Sequence, residues 1–396
     1  MLTEKTDIVI IGAGPTGMAL SIALRQAGVD HLIIDKLEQG QNTSRAAVIH
    51  AQTLESLRPL GVTDKLVELG LKLSKFTIRD RDRALVRLAF DKLPSEYHYL
   101  LMLPQNFTEE VLADRIANLG GVIHRGVAAS KIVQTADDAR ITVIEGGKEK
   151  IISTRYVVGA DGMHSLVREA SGIAFDGAAY EDSFVLADVH LDWPLKPNEV
   201  SLFFSPAGLV VVAPLPDGSF RIVATLDNAP EHPSIADIQA LLDERGPMTR
   251  KARVLDMSWS SRFRLHHRLA RSYRNKRLFL MGDAAHVHSP AGGQGMNTGL
   301  IDAVVLGQIL ADVVKGRRPE KTLDLYETLR RPAAAQVIEL AGRLTGMATT
   351  RSPLKRFARN ILLGLINLSA FAKRRLAMNL SGLSRAASAR VPRADV

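Results

Sequence analysis

Six residues, Gly12-Ala13-Gly14-Pro15-Thr16-Gly17, constrain this chain more than any others. They follow Asp7–Ile11, an apolar and β-branched run that reads as a buried parallel strand. They open a helix predicted from about Pro15 to Ala27, with Met18, Ala19, Ile22 and Ala23 forming its apolar stripe. Pro15 suits the first helical turn, and Gly28 suits a left-handed exit. A second strand, His31–Asp35, completes a β-α-β unit of about 30 residues. In such a unit Gly12 permits the tight turn, Gly14 lets backbone approach a pyrophosphate, and Gly17 allows close helix–strand packing. The free N–H groups and positive dipole end of the helix then face the phosphates. Asp35 ends the second strand, where a carboxylate can accept both ribose hydroxyls; Lys36 follows it as a further contact. The unit predicts a bound dinucleotide and leaves FAD and NAD as alternatives.

Two later segments repeat the strand-to-turn pattern. Tyr156–Val158 reads as a buried strand and runs into Gly159-Ala160-Asp161-Gly162-Met163-His164-Ser165-Leu166-Val167-Arg168. That turn is either a second backbone concavity beside phosphates or a capped turn with no ligand. Arg277–Met281 reads as a last buried strand, followed by Gly282-Asp283-Ala284-Ala285-His286 and Pro290-Ala291-Gly292-Gly293-Gln294-Gly295-Met296-Asn297. Asp283 is placed to hold ribityl hydroxyls, or simply to cap a turn. A helix starting near 295–298 presents a dipole end to negative charge. Between these turns, residues 45–70 read as helical with a break at Pro59–Gly61, and Thr108–Asn118 as a helix. Ala129–Thr135, Ile141–Ile144 and Lys150–Ser153 alternate like strands. Residues 181–268 are strand-rich, interrupted by a helix over Ser234–Glu244. The order predicts two discontinuous domains.

Taken in this order, the three motifs resemble those of the flavoprotein aromatic hydroxylases of the para-hydroxybenzoate hydroxylase superfamily, over about residues 5–330. The resemblance implies an α/β fold: a Rossmann-type FAD-binding domain (1–75, 101–180 and 269–330), a discontinuous sheet-rich substrate domain (76–100 and 181–268), and a basic C-terminal helical region (331–396). It implies FAD rather than NAD on the first motif, with NADPH or NADH as a transient donor. Reduced flavin then reacts with O2 to a C4a-hydroperoxide that hydroxylates an aromatic or polyketide-like ring. It also implies cofactor contacts at Arg45, Gln105, the Val127 backbone, Asp161, Asp283, Gly293, Gly295, Met296 and Asn297. Without the resemblance, Arg45 reads as a solvated arginine and Gln105 as a turn amide. Pro290 adjoins the flavin loop and is the one residue singled out near the chemistry. Phe203 and Val211 are offered as substrate contacts, with an ordinary core role as the alternative. Three departures stand out: Asp35 replaces the commoner Glu, Gln52 stands where many relatives have arginine, and no thioredoxin-like C-terminal domain fits the length. A halogenase, a polyprenyl reductase and a flavin-binding interaction protein with vestigial redox activity remain as alternatives. The halogenase W-x-W-x-I-P motif is absent, since only Trp193 and Trp259 occur.

Composition removes several other chemistries. The chain has no cysteine, so disulfides, thiolate catalysis and Cys-ligated metals are excluded. No His/Asp/Glu cluster has metal-ligand spacing, and no segment reads as a secretory signal, which makes a cytoplasmic monomer or homodimer the expectation. The net charge of +9 belongs to one end: residues 351–396 hold ten Lys/Arg and one acid, while the first 350 hold 41 of each sign. Within that end Ile361–Ala372 is an apolar stretch too short to span a bilayer. It reads as a helix packed on the body with a solvated basic face. The alternative is a peripheral helix on anionic lipid. Nucleic-acid binding is not expected, because aromatic residues are scarce there.

Overall fold

The computed structural model describes residues 2–40, 46–226, 229–290, 292–350 and 352–393, with backbone alone at 179–182 and 264–265. The glycine turn does what its sequence predicts. β1 (Lys5–Ile11), α1 (Pro15–Gln26) and β2 (His31–Asp35) form a parallel β-α-β unit, with Ile8 in register with His31 and Ile11 with Ile34. Next come β3 (Val48–Ile49), α2 (Ala51–Leu57), α3 (Thr63–Leu69) and β4 (Leu71–Leu73), then the hairpin β5 (Lys75–Asp80) and β6 (Arg83–Ala89). β7 (Leu100–Met102) and α4 (Gln105–Asn118) lead to β8 (Ile123–Arg125), β9 (Val127–Gln134), β10 (Ala139–Glu145) and β11 (Lys148–Gly159). After α5 (Leu166–Ser171), the chain enters a run of antiparallel strands. These are β12 (Phe175–Asp192), β13 (Glu199–Ser205), β14 (Gly208–Pro214), β15 (Phe220–Thr225) and, beyond α6 (Ile235–Arg245), β16 (Arg253–Ala270). It returns through β17 (Arg274–Asn275), β18 (Leu278–Leu280) and β19 (His286–Val287) to α7 (Gly295–Val314). It closes with α8 (Leu325–Ala348), α9 (Pro353–Leu368) and α10 (Ala370–Leu380).

Two eight-stranded sheets organise these elements. The first runs β17-β18-β11-β1-β2-β8, with β9 and β10 attached through β11; the second runs β19-β16-β12-β15-β14-β13-β5-β6. A third sheet has three strands, in the order β3-β7-β4. Two sequence expectations change. Lys150–Ser153 and Tyr156–Val158 are one strand, because β11 pairs antiparallel with β10 along its first half and parallel with β1 along its second. Residues 46–50 are not helical: Val48 and Ile49 pair with Met102 and Leu101, and that pairing overrides local helix propensity.

Small residues let α1 and α7 touch. A Cβ on Gly299 would fall 2.5 Å from Thr16 Oγ1, and one on Gly307 would fall 2.6 Å from the Ala23 Cβ. Behind this seam Asp302 is fully buried. It accepts from Arg330 Nε (2.7 Å), from His286 Nε2 (2.6 Å) and from the Gly282 N–H (3.3 Å). Burial alone would raise this carboxyl, but His286 and Arg330 hold it below its ordinary value. The interaction ties α7 to α8 and to the turn after β18.

The C-terminal region divides in two. α8 packs on α7, and the 3-10 segment Leu383–Ala389 returns against α2, α7 and α8. α9 differs from its sequence expectation. Arg359 and Leu363 face the body, with Asn360 and Asn367 beside them, and a longer apolar stripe is exposed.

Asp302→Ala strands the Arg330 guanidinium in the core and should cost about 3–5 kcal/mol, because an unpaired buried charge is not resolvated. Urea unfolding of the two proteins at one pH measures it; a loss under about 1 kcal/mol would mean that Arg330 finds water.

Candidate flavin site

Three stretches separated by more than a hundred residues meet at the end of α1. Gly12 has φ +104°, and a Cβ there would lie 2.3 Å from the Ala160 carbonyl oxygen. A Cβ on Gly17 would lie 1.9 Å from the Gly12 carbonyl oxygen, and one on Gly282 would meet Thr16 Oγ1 at 3.0 Å. Main chain of the first and second motifs is therefore in direct contact, and the third motif meets the Thr16 side chain of the first. Gly14 is the exception, since a Cβ there meets nothing within 4 Å. It stands at the head of α1, which no side chain caps. This leaves free N–H groups beside open space, the arrangement a pyrophosphate requires. Ala13 presents its N–H to Asp35 Oδ2 (2.7 Å), and the Leu37 N–H donates to Oδ1 (2.9 Å). The carboxylate is thereby fixed across the turn, with lone pairs left for sugar hydroxyls. Lys36 beside it is exposed, and Val127, buried at the start of β9, follows Gly126, whose N–H donates to the Leu37 carbonyl (3.2 Å).

The second motif supplies an unsatisfied acceptor. Asp161 Oδ2 accepts from the Val167 N–H (3.3 Å), whereas the buried Oδ1 has no partner. Burial raises this carboxyl above its usual range, and hydrogen bonds from Ser165 and Val167 oppose the rise. A hydroxyl donor from a bound dinucleotide would satisfy it. Arg168 spans the second and third motifs: Nη1 donates to the Ala284 carbonyl (2.9 Å), Nη2 to the Met163 carbonyl (2.6 Å), and the guanidinium lies over the Phe175 ring. Asp283, next to Ala284, is exposed on the same turn.

The loop before α7 is held by Asn297 and by residues to which the sequence reading gave no role. Asn297 is buried, and its side chain is fully engaged: Nδ2 donates to the Val48 (2.9 Å) and Gly293 (2.8 Å) carbonyls, while Oδ1 accepts the His50 N–H (2.8 Å). Any cofactor contact there falls to main chain at Gly295, Met296 and Asn297. His50 Nε2 donates to the Gly292 carbonyl (2.9 Å), and Gln294 Nε2 donates to the Leu380 carbonyl (2.8 Å). His288 Nδ1 donates to the Ser289 carbonyl (2.8 Å), leaving Nε2 buried and unpartnered beside Gly295. Burial pushes both His50 and His288 down to about 4, and the nearby Arg385 charge adds to this. Arg385, itself pushed down to about 10 by burial, donates to Gln294 Oε1 (3.3 Å). The Gln52 departure has a reason here: it lines a small cavity with Arg330 and Arg385, where a third cation would be repelled.

Gln105 sits at the first turn of α4 and accepts from the Ala46 N–H (3.4 Å). Arg45 lies outside the described residues, as does Ala291. On the second sheet, Arg221 forms a bidentate pair with Asp188 (2.7 and 2.6 Å) and donates to the Ala46 carbonyl (2.9 Å). Val211 is half-buried on the sheet face that packs toward the first domain. Phe203 is a correction: it lies on the opposite face, packed on Trp193 within the core under α6, because alternate residues of β13 point to opposite sides. Only a sheet register could have separated Phe203 from Val211. His50, His288 and Arg221 lack any sequence signal beyond their polarity.

A family model described as FAD binding domain matches residues 5–341. The 6-methylpretetramide 4-monooxygenase of Streptomyces rimosus is 34% identical over 378 residues, covering 94% of this chain and 68% of that relative. Among solved structures, an anhydrotetracycline hydroxylase from Streptomyces rimosus aligns with TM-score 0.80 at 31% identity, over 96% of this chain and 76% of that one. The p-nitrophenol 4-monooxygenase of Pseudomonas putida DLL-E4 shares the fold, with TM-score 0.88 at 22% identity over 98% of this chain and 100% of that one.

Two outcomes follow from this geometry. Gly14→Val should fold normally yet bind FAD at least about a hundredfold more weakly, roughly 3 kcal/mol, since its side chain fills only the cradle. Flavin fluorescence titration beside a melting curve separates the two effects, and undiminished binding would show that phosphates lie elsewhere. His50 and His288 are held neutral in the fold, with values near 4 against about 6.5 unfolded. Their contribution is complete above pH ~6.5 and is lost as pH falls toward 4, by up to about 3 kcal/mol each. Stability measured across that window should drop, and His50→Gln should make the drop shallower.

Proposed function

The chain belongs to the FAD-binding domain family, and we propose that it works as an FAD-dependent monooxygenase that hydroxylates an aromatic or polyketide-like ring with O2 and NAD(P)H. The observation that carries this reading is the convergence of the three motifs on an uncapped helix end with open space at Gly14. The monooxygenase relatives support it over a halogenase, a polyprenyl reductase or a vestigial binding protein.

Bound FAD supplies the redox chemistry, taking a hydride from NAD(P)H and activating O2. The chain's own residues do the rest. The Gly12–Gly17 turn and the α1 N-terminus hold the pyrophosphate, and Asp35 accepts the ribose hydroxyls. Gln105 serves the same cofactor, and the Val127 backbone the adenine. Asp161 and Asp283 accept from hydroxyls further along the cofactor. The α7 N-terminus, at Gly295 and Met296, directs N–H groups and a positive dipole end toward charge on the ring edge, while the Gly293 N–H donates to the Pro290 carbonyl (2.8 Å) and shapes the loop before it. Pro290 precedes this loop. Val211 and Val223, on the inward face of the second sheet, offer an apolar wall that excludes water from a bound ring. The FAD domain then comprises residues 1–75, 101–180 and 269–330, the substrate domain 76–100 and 181–268, and the remainder is the basic helical region. A cytoplasmic site, where NAD(P)H is available, accords with this reading.

The test is NAD(P)H oxidation by the FAD-loaded protein under air, with and without phenols, hydroxybenzoates and polycyclic phenols, following product by mass. Stimulation of about tenfold or more, with a product one oxygen atom heavier, is expected. Bound flavin that neither nicotinamide reduces, with or without these compounds, would overturn the reading.

A further inference from the structure

α9 is mounted with its apolar side outward. Leu354 (77% exposed), Phe357 (65%), Leu365 (59%) and Leu368 (83%) share one helical face with Ile361, and Phe371 (76%) extends it past the turn into α10. The spacing of three and four residues is that of a buried stripe, yet nothing among the described residues covers it. The opposite side is tied down by polar bonds. Arg359 donates to the Met347 carbonyl (2.9 Å) and lies over the Phe204 ring. Asn360 donates to Asp80 (3.1 Å), and the Arg87 N–H donates to Asn367 Oδ1 (3.0 Å). Rolling the helix inward would break all of these, so the apolar face is held outward by the fold.

Along the exposed side of α9 and α10 the charge has one sign; the Asp80 carboxylate lies on the opposite side, bonded to Asn360. The sequence has no Asp or Glu from Leu340 to Ala394. Lys355, Arg374 and Arg375 are exposed along α9 and at the far side of its turn, and Arg87 is exposed on the adjoining β6. An outward stripe of Leu, Ile and Phe rimmed by cations is complementary to a bilayer whose surface carries anionic headgroups over acyl chains. At 16 residues α9 is too short to cross a bilayer and long enough to lie in its interface. We propose that α9 and the first turn of α10 dock this protein on an anionic lipid surface, with the α9 axis parallel to the membrane plane. A second copy of the chain is a poorer occupant, since pairing this face with itself would bring like charges together. The docked helix packs on β6 and, through Arg359, on β13, so docking sets the substrate sheet close to the lipid.

The whole FAD-loaded protein would be sedimented with vesicles of phosphatidylcholine alone, and with vesicles in which roughly a third is phosphatidylserine. Binding to the anionic vesicles only, weakened by salt, is expected. Leu365→Glu and Phe357→Glu should each weaken it at least about tenfold, while flavin content and melting temperature, which exposed positions do not govern, stay unchanged. Absence of binding to anionic vesicles by protein that retains its flavin would overturn the proposal. So would a dimer in sedimentation analysis that Leu365→Glu dissociates, because the face would then be covered by a second copy. Because the readout is lipid binding, failure here leaves the hydroxylase reading intact, and the converse holds.

Discussion

Everything in the flavin site depends on how closely its glycines approach their neighbours. A carbon added at Gly12 or Gly17 would lie 2.3 or 1.9 Å from a main-chain oxygen, and one added at Gly282 or Gly299 would lie 3.0 or 2.5 Å from Thr16 Oγ1. That contact is a steric requirement, and it brings one end of β1, of β11 and of β18 to the head of α1. The sheet order β18-β11-β1-β2 places the three turns side by side, and the glycines let them close. Without that closeness the open space at Gly14 would be a shallow dent with one wall.

The glycines, Asp35 and the strands feeding the turns are legible because each carries local information: a steric exception, a strand end or an apolar run. What could not be read is whatever depends on a partner far along the chain. Asn297 is legible as part of a motif, but its bonds to Val48 and His50 are not, since they span about 250 residues. The same holds for Phe203, whose burial was foreseeable and whose side of the sheet was not. β12 and β16 are each 18 residues because they pair with one another, which gives strand residues beyond the alternating core of each run. α9 is the sharpest case: periodicity gives the width of an apolar stripe, and its usual inward orientation is a rule of frequency that polar bonds from Arg359, Asn360 and Asn367 reverse here.

Charge is handled differently on the two sides of the loop before α7. Toward the C-terminal segment, Arg330 and Arg385 are buried, one neutralised by Asp302 and the other depressed by burial. Toward the loop itself, two imidazoles are kept uncharged, so they can hydrogen-bond the Gly292 and Ser289 carbonyls without adding positive charge. The loop is thus set by neutral donors, and the dipole end of α7 is the electrostatic feature that follows it.

The Arg221–Asp188 pair gears the two sheets together. Arg221 projects from β15 and Asp188 from β12, and the third arm of the guanidinium holds the Ala46 carbonyl. Two residues further on, the Val48 carbonyl accepts from Asn297, which also grips Gly293. Sliding the second sheet away from Ala46 would strip a buried, still ion-paired cation of one hydrogen bond, at a cost of about 1.5–3 kcal/mol. The inward wall of the second sheet and the loop before α7 are therefore links in one linkage, and a shift of the first must carry the second with it.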